Sequence, residues 1–253
     1  MGNWHSFWER AIVATSATMG VEWIHVQTRY GNLLRGLIQP GAHWLDIGCG
    51  RQLIPDWALP AAEQTQIVSR AAQIVGIDFD KAILDHPHLH HRVIASGYGL
   101  PFQSESFDLI TANMVIEHID DPAQLLSEVK RCLKPGGVFA FVTPNLDYYL
   151  TRIAAVVPQD LKNQIVWILE RREADDVFPT HYKLNQPADI QQAATLSGFQ
   201  IERLELVNSK GAFARLGPVG VAEVLLRWVL QRENFAKYRS NVMCQLRKPL
   251  GIT

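Results

Sequence analysis

The sequence predicts an α/β fold in which a doubly wound, mostly parallel sheet of seven strands is covered by helices, with a helical insertion after the fifth strand. Short apolar runs alternate with helical patterns from about residue 43 to the end of the chain, and this alternation is typical of parallel sheets with crossover helices. Several runs are apolar throughout, as strands buried on both faces are. With 253 residues and 47% apolar side chains, the chain is long and apolar enough for one or two folded domains.

The elements follow one another in a regular order. Residues 1–40 are expected to form an N-terminal helical segment and residues 41–145 a ligand-binding core. An insertion over 146–185 and further strands and a helix over 186–253 complete a single expected domain. Apolar runs bounded by turn residues predict the seven strands. They are His43–Ile47, Ile74–Phe79, Arg92–Ala95, Phe107–Ala112, Gly137–Thr143, Phe199–Val207 and Asn241–Leu246.

One helix has unusually clear boundaries. Asp120 or Asp121 is the expected N-cap, because a carboxylate accepts hydrogen bonds from the free N–H groups of the first turn, and Pro122 suits a first-turn position. The Lys-Pro-Gly-Gly segment at 134–137 is expected to stop the helix. The buried face of this helix is expected to consist of Leu125, Leu126, Val129 and Leu133.

The insertion over residues 146–185 is predicted to form a lid or substrate wall, since long insertions at strand ends often do so. Its helix is expected to pass through Leu161, Ile165, Ile168 and Leu169.

Another helix is predicted over residues 219–232, where apolar residues recur at helical spacing. The expected apolar face consists of Val221, Val224, Leu225, Trp228 and Val229, opposite Glu223, Arg227 and Gln231. We interpret this segment as a helix that packs on the sheet. The alternative, a helix lying on a membrane surface, would carry a more basic polar face.

Charge and composition exclude several classes of protein. Lys and Arg number 24 against 25 Asp and Glu, a net charge of −1, which argues against a nucleic-acid groove because such grooves need clustered cations. The longest uncharged stretches, 93–104 and 135–146, have 12 residues, well short of the ~20 that span a bilayer. No basic region with an apolar core predicts a secretion signal. Three cysteines without metal-type spacing fit a cytoplasmic protein.

The first predicted strand runs into a glycine-bearing turn that suits a ligand. Gly48 and Gly50 allow close approach to the backbone, and turn N–H groups can hold a carboxylate or phosphate. A dinucleotide fingerprint would carry a third glycine where this chain has Leu53, and it would not carry an acid at Asp46. These differences disfavour a nicotinamide dinucleotide as the ligand.

The second predicted strand ends in an acid. Asp78 can accept hydrogen bonds from both hydroxyls of a ribose, and Phe79 can pack on an adenine ring. Both strand ends belong to the edge at which doubly wound sheets bind ligands. The glycine turn and Asp78 together therefore predict a site for a nucleoside-type cofactor, with a solvated strand-end acid as the alternative for Asp78.

Five segments, in order, resemble the motifs of class I S-adenosylmethionine-dependent methyltransferases. They are LDIGCG at 45–50, GIDFD at 76–80, LPF at 100–102, FDLITANMVIEH at 107–118 and LKPGG at 133–137. One such motif alone is weak, but five in order are specific. The resemblance covers about residues 40–145 and is loose in the last third of the chain. It implies a Rossmann-like methyltransferase fold with S-adenosylmethionine as the methyl donor.

The resemblance also implies which residues hold the donor. The implied contacts to its methionine portion come from Asp46, Gly48, Cys49, Gly50, Asn113 and Met114. The implied contacts to its ribose and adenine come from Asp78, Phe79, Ser96, Gly97 and Tyr98. Family members often carry an acid where this chain has Ser96, so the adenine amine would meet Ser96, backbone groups or water.

The resemblance places Glu117 and His118 on the acceptor side of the donor. Methyl transfer needs a base only when the acceptor must lose a proton, and an imidazole with a pKa of about 6.5 suits a hydroxyl acceptor. His118 is the expected base, with Glu117 beside it. His181, at the end of the insertion, is a further candidate. The alternative for all three residues is that they brace the loops on which they lie.

No metal site is expected. The Glu-His motif also resembles that of ubiquinone-pathway O-methyltransferases, in which a further acid lies three residues before the glutamate. This chain has Met114 there, and a thioether does not suit Mg²⁺. The cluster of His86, His88, His90 and His91 is expected to be an exposed connector between strands rather than a transition-metal site.

The expected function is methyl transfer from S-adenosylmethionine to a small, apolar acceptor, with oxygen slightly favoured because of His118. The acceptor class is inferred from aromatic side chains in the variable regions, namely Tyr148, Tyr149, Trp167, Phe178, Tyr182 and Trp228. One alternative is a nicotinamide-dependent oxidoreductase. The other is a non-catalytic, S-adenosylmethionine-binding subunit of a partner methyltransferase, which rests on Ser96 and on Gln52, where many family members have glycine.

Overall fold

The computed structural model describes residues 2–156, 179–211, 213 and 217–251. The chain divides into two compact units. One unit comprises Met1–Val26, Asn145–Pro179 and Leu206–Asn241, and the other comprises Gln27–Pro144, Thr180–Glu205 and Val242–Thr253.

Within the described residues, seven strands form one sheet in the order β3-β2-β1-β4-β5-β7-β6. The strands are β1 (His43–Ile47), β2 (Gln73–Asp78), β3 (His91–Ile94), β4 (Phe107–Asn113), β5 (Leu133–Pro144), β6 (Gln200–Val207) and β7 (Asn241–Arg247). The predicted α/β fold with a doubly wound sheet is confirmed. The pairings β1–β2, β2–β3, β1–β4 and β4–β5 are parallel, so these strands all end at the same edge of the sheet.

The strand order reverses beside β1, which lies between β2 and β4. Doubly wound sheets open a crevice at such a point, at the carboxyl ends of the strands. The register places Asp46 opposite Gly76 on β2 and opposite Thr111 on β4. The sheet thereby brings the ends of β1, β2 and β4 together, which is where the candidate site is built.

The helices lie before, between and after the strands. They are α1 (Gly2–Thr18), α2 (Val26–Leu37), α3 (Ala61–Val68), α4 (Pro122–Cys132), α5 (Tyr149–Val156), α6 (Pro187–Leu196) and α7 (Pro218–Leu230). Short 3-10 helices occur at Lys81–Asp85, Ile116–His118 and Glu233–Tyr238. No helix in the described ranges combines the length and the apolar character needed to cross a bilayer.

The start of α4 confirms the prediction, and the helix ends just before the predicted stop, but Leu133, predicted on the buried face of the helix, is the first residue of β5. Asp121 is the N-cap and accepts a hydrogen bond from the Gln124 N–H at 3.0 Å. The helix ends at Cys132, and the Lys-Pro-Gly-Gly segment predicted as a stop lies inside β5. The reason is a β-bulge: the register shifts between Phe107 and Leu109, and Gly136 absorbs the irregularity with a φ of +77°.

The predicted apolar face of α7 is confirmed only for Val224, which is buried, and Val221, which packs against the same cluster. Glu223 and Arg227 are buried, with 4% and 3% exposed, whereas Leu225 is 51% and Trp228 37% exposed. The helix packs against α1 through Val224, which clusters with Ile12 and Val21.

Hydrogen bonds explain this inversion. Glu223 accepts from Arg227 Nη2 at 3.1 Å and from the Phe213 N–H at 2.8 Å. The same guanidinium donates to the Ser209 carbonyl and to the Tyr148 hydroxyl. Because the two side chains pair with each other and with the Ser209 carbonyl, the Tyr148 hydroxyl and the Phe213 N–H, burying the two charges becomes tolerable, although Arg227 Nε has no partner among the described residues.

The predicted insertion begins with α5. Its helix through Leu161, Ile165, Ile168 and Leu169, and the aromatic residues Trp167 and Phe178, lie outside the described residues.

Candidate active site

The turn after β1 requires glycine at its first position. Gly48 has a φ of +64°, in the left-handed region, and a Cβ there would lie 2.4 Å from Val115 Cγ2. Its N–H donates to the Ile77 carbonyl at 2.7 Å, which ties the turn to β2. Gly50 also has a positive φ, of +53°. The turn thus places backbone atoms without side chains at the crevice, as predicted for a ligand-binding loop.

Asp78 lies at the end of β2 and holds this turn. One carboxylate oxygen accepts from the Gly50 N–H at 2.8 Å and the other accepts from the Asp80 N–H at 2.9 Å. Each oxygen has a second lone pair for a further donor. The carboxylate is therefore fixed by backbone and retains the capacity to accept two hydroxyl groups.

Asp46 belongs to a buried chain of polar groups. Its Oδ1 accepts from the Thr111 hydroxyl at 2.5 Å, and that hydroxyl accepts from Trp44 Nε1 at 2.7 Å. Burial raises the pKa of Asp46 to about 7, and the nearby Asp78 carboxylate adds to the effect. A buried acid of this kind is poised to take a cation as its partner.

Cys49 contributes backbone rather than a reactive thiol. Its side chain is buried beside β2, where Sγ lies 3.8 Å from the Ile77 carbonyl oxygen. Burial, together with the negative charge of Asp46 and Asp78, raises the pKa of the thiol and keeps it neutral. The same packing explains Gly76, because a Cβ there would lie 2.6 Å from the Cys49 sulfur.

Asn113 and Met114 follow β4 at the same edge. The Met114 N–H donates to the Val142 carbonyl at 2.9 Å, and Met114 takes a positive φ of 55°. Asn113 exchanges two hydrogen bonds with Gln27 of α2, at 3.1 and 2.7 Å. The structure therefore places both residues beside the first strand's turn, where the resemblance implied a methionine portion.

Two residues of α2 were missed by sequence reasoning, Gln27 and Tyr30. They are three positions apart on a helix and so share one face. Gln27 binds Asn113, and Tyr30 is completely buried beside Thr111 and Asp46. The only signal in the sequence was this pair of polar side chains on the inner face of an amphipathic helix.

The residues implied for adenine follow β2 and β3, which are adjacent. Asp78 pairs with Ile94, so Phe79 and Ser96 both lie just beyond this pair. Phe79 is 61% exposed and Ser96 is also exposed. An aromatic ring at this point could stack on a base.

Tyr98 is held by the loop before α4. Its hydroxyl donates to the Asp120 carboxylate and accepts from the Asp120 N–H at 2.8 Å. Its carbonyl accepts from Gln124 Nε2 at 2.9 Å. Gly97, before it, is half-buried near Leu125. These bonds fix the loop that the resemblance assigned to the adenine side.

Glu117 is buried and holds neighbouring segments together. Its carboxylate accepts from the Thr143 hydroxyl at 2.9 Å, and its carbonyl accepts from the N–H groups of His181 and Tyr182 at 2.7 and 3.2 Å. Burial raises the pKa of this carboxyl. Asn185 extends the cluster by donating to the Thr143 hydroxyl at 2.8 Å. This geometry favours the bracing alternative for the Glu117 side chain.

His118 and His181 are brought together by Glu117. His118 is half-buried in the 3-10 helix that contains Glu117, and His181 is exposed and bound to the Glu117 carbonyl through its backbone. The two imidazoles are thus presented on adjoining segments. A catalytic role for His118, His181 or Glu117 stays a prediction.

The histidine cluster differs from expectation at one residue, since His90 and His91 are exposed as predicted. His86 is completely buried rather than exposed, and burial lowers its pKa to about 4, so its imidazole is neutral. Its Nδ1 accepts from the His88 N–H at 3.2 Å, and His90 Nδ1 accepts from the Ile74 N–H at 3.0 Å. In this connector, the two ring nitrogens thus accept hydrogen bonds that backbone carbonyl groups accept in regular structure. In the part of the chain that the structure describes, no three His, Cys, Asp or Glu side chains are grouped as metal ligands.

The observed groups fit S-adenosylmethionine. A fixed carboxylate with free lone pairs suits ribose hydroxyls, and a buried acid with a raised pKa suits an ammonium group. The glycine turn lies between them, since Gly50 binds Asp78 directly. A sheet of this order with these strand-end groups is typical of class I S-adenosylmethionine-dependent methyltransferases.

Comparison with known proteins gives the family. A family model described as a methyltransferase domain matches residues 23–204, more than half of the chain, and the chain belongs to this family. This match decides against the nicotinamide-dependent oxidoreductase.

Curated relatives match over part of their length. A probable S-adenosylmethionine-dependent methyltransferase of Mycolicibacterium smegmatis is 34% identical over 109 residues, covering 42% of this chain and 39% of the relative. The ubiquinone biosynthesis O-methyltransferase of Hahella chejuensis is 31% identical over 117 residues, 42% of this chain and 44% of the relative. The demethylmenaquinone methyltransferase of Lysinibacillus sphaericus is 27% identical, covering 46% and 50%. The aligned region is thus half or less of these relatives.

Solved structures share the fold. A putative methyltransferase in complex with the Haloferax volcanii Trm112 methyltransferase activator has a TM-score of 0.56 at 17% identity, covering 98% of this chain and 99% of that one. The 4+2 cyclase SpnF has a TM-score of 0.54 at 20% identity, covering 88% and 81%. At these identities the likeness shows the fold alone, and the cyclase shows that this fold serves more than one reaction.

Proposed function

We propose that this protein transfers a methyl group from S-adenosylmethionine to a small, apolar acceptor. The observation that carries the proposal is the pair of acids at adjacent strand ends, Asp46 and Asp78, joined by a turn that only glycine can form. The relatives named for ubiquinone and demethylmenaquinone support a small acceptor. One of these names specifies an O-methyltransferase, and we keep oxygen as the proposed acceptor atom because of His118.

The chain's own residues bind and orient the donor. When bound, S-adenosylmethionine supplies an electrophilic methyl group on a cationic sulfur. Asp78 would accept the two ribose hydroxyls, Asp46 would pair with the ammonium group, and backbone of the glycine turn would lie along the ligand. Holding a nucleophile in line with a reactive carbon can contribute several kcal/mol, roughly 7 to 11 in favourable cases.

His118 would take the acceptor's proton. A half-buried imidazole on a segment braced by Glu117 is a suitable group to receive a proton from a hydroxyl. Glu117, fixed by Thr143, positions the segment rather than touching substrate.

The three cysteines are all free, buried thiols, which supports the proposed cytoplasmic location because a reducing compartment keeps thiols unpaired.

The first test is incubation of the protein with metabolite extracts and isotopically labelled S-adenosylmethionine, followed by untargeted mass spectrometry. We expect one or a few small, apolar compounds to gain the label. Binding of S-adenosylhomocysteine and of NADH, measured by calorimetric titration, provides the control. Tight binding of NADH alone would contradict the proposal.

The non-catalytic subunit remains the second candidate, because Ser96 is exposed where family members often carry an acid. It predicts that S-adenosylhomocysteine binds while no compound gains the label. Labelling of a metabolite by the purified chain alone would exclude it.

A further inference from the structure

Tyr30 has an unusual environment for a tyrosine. It lies on α2, is 0% exposed, and among the described residues its hydroxyl has no partner in hydrogen-bond geometry, although the Thr111 hydroxyl lies close enough to act on it. A buried hydroxyl without a partner costs free energy relative to a phenylalanine at the same place. The cost suggests that the hydroxyl acquires a partner in another state of the protein.

The polar groups that act on the Tyr30 hydroxyl belong to the Asp46 chain. The Tyr30 hydroxyl lies beside the Thr111 hydroxyl and in the field of the Asp46 carboxylate. Burial first, and that carboxylate second, raise the pKa of Tyr30 well above its ordinary value. The phenol therefore keeps its proton around neutral pH and can act there as an O–H donor.

The existing bonds leave room for one more donor at Asp46. Thr111 gives its only proton to Asp46 Oδ1, and it receives the Trp44 N–H. A carboxylate has about four acceptor positions. Protonated Asp46 is neutral, so burial costs it little and few hydrogen-bond donors are required. Ionised Asp46 is destabilised by burial, and each additional hydrogen-bond donor stabilises it.

We propose that Tyr30 is a positioning residue for the methyl donor, and that its hydroxyl donates to Asp46 when this acid becomes the ionised partner of the donor's ammonium group. The inference rests on the proposed function. The titratable groups that act on Asp46 are Asp78 at the end of β2, Cys49 in the turn and Tyr30 on α2, while β4 offers the uncharged Thr111.

The pH dependence of binding follows from this arrangement. Only ionised Asp46 can pair with an ammonium group, so affinity for the donor should rise with pH and level off above neutrality. A hydrogen bond from Tyr30 stabilises the ionised form and lowers the pH at which this rise occurs.

The test is calorimetric titration of the wild type and of Tyr30→Phe with S-adenosylhomocysteine between pH 5.5 and 8.5. The variant is expected to move the midpoint of the affinity profile upward by about one pH unit, because hydrogen bonds to charged groups contribute about that much. Affinity should fall up to about tenfold below pH 7, and the difference should narrow at pH 8.5.

Two controls accompany the test. The melting temperature of unliganded Tyr30→Phe should equal or exceed that of the wild type, because the lost hydroxyl has no partner. Tyr238→Phe removes the same atom from a half-buried tyrosine of the other compact unit, and it should leave the affinity profile unchanged.

The outcomes separate the two proposals. Absence of S-adenosylhomocysteine binding by the wild type at every pH would refute the proposed function and this inference with it. Binding with an equal midpoint in wild type and variant, or with a uniform loss at every pH, would overturn the role of Tyr30 alone.

Discussion

Asp46 and Asp78 show how one residue type takes two roles through its surroundings. Asp78 receives two backbone N–H groups, which stabilise a carboxylate. Asp46 is buried with a single hydroxyl on Oδ1, and its pKa is raised to about 7. The first acid is thus a ready acceptor of hydrogen bonds, and the second is an acid whose charge depends on what binds beside it.

The raised pKa of Asp46 makes stability depend on pH. The folded protein holds this proton up to about pH 7, whereas the unfolded chain releases it near pH 4. Because the folded state binds more protons in that interval, stability should fall as pH rises from about 4 to 7 and be constant above. Asp46→Asn should remove this fall, which is on the order of 4 kcal/mol over the whole interval. Thermal unfolding at pH 5.5 and pH 8 measures it, and an identical pH dependence in the variant would contradict the assignment.

The proposed base gives a separate prediction. His118→Ala should lower kcat by about 10² to 10⁴-fold and leave affinity for S-adenosylhomocysteine unchanged, since the imidazole is assigned to the acceptor. His91→Ala, at the exposed start of β3, is the matched control and should change neither quantity. Equal losses of turnover and of donor affinity in His118→Ala would instead indicate bracing.

Elements were predictable where one signal dominated. The strand His43–Ile47 has the predicted bounds, because its apolar run ends at a glycine turn. The N-cap of α4 was marked by Asp121 and Pro122. The bulge in β5 was not, because a Pro-Gly-Gly sequence breaks a helix and a regular strand alike, and only the pairing with β4 decides between a turn and a bulge.

The inner face of α7 could not be derived from periodicity. The helix carries apolar residues on more than one side, so spacing alone does not say which side is buried. A Glu and an Arg four residues apart form an exposed pair on most helices. Their burial depends on Phe213 and Ser209, which precede the helix, and on Tyr148, which comes from a distant part of the sequence.

The buried pair can be tested against the exposed apolar face. Glu223→Gln removes a charge and leaves Arg227 buried without its ionic partner, so it should reduce stability by about 3 kcal/mol. Leu225→Ala removes a larger apolar side chain from an exposed site and should change stability by less than about 0.5 kcal/mol. Denaturant unfolding of both variants measures this, and a larger effect at Leu225 would restore the face predicted from sequence.

The glycine turn gives the other prediction for an element. Gly48→Ala places a methyl group against Val115 in a left-handed conformation, so stability should fall by about 1 to 3 kcal/mol and donor affinity should fall too. Gly36→Ala, in α2 with open space around it, should be neutral or stabilising by about 0.5 to 1 kcal/mol. Chemical denaturation and calorimetry compare the two, and equal stability of both variants would contradict the role of Gly48.

Across the whole molecule, the sequence predicts the site residues at strand ends better than those on the helix that precedes the sheet. Residues next to the strand ends, such as Gly48, Asp78 and Asn113, were placed correctly relative to one another because parallel strands end at one edge. Tyr30 and Gln27 were missed, because they reach this edge from a helix that precedes the sheet. The family match and the sheet order agree with the sequence motifs. The identity of the methyl acceptor depends on other segments, in which the sequence shows no motif.

The most direct test of the account is donor binding by Asp78→Asn. The exchange keeps the shape of the side chain but removes the charge and one acceptor. Calorimetric titration with S-adenosylhomocysteine should show binding by the wild type and an affinity about 10 to 100 times lower in the variant, because charge-assisted hydrogen bonds to the ribose are lost. Asp85→Asn, an exposed acid on the following 3-10 helix, should bind as the wild type does. Undiminished affinity in a folded Asp78→Asn protein would contradict the account.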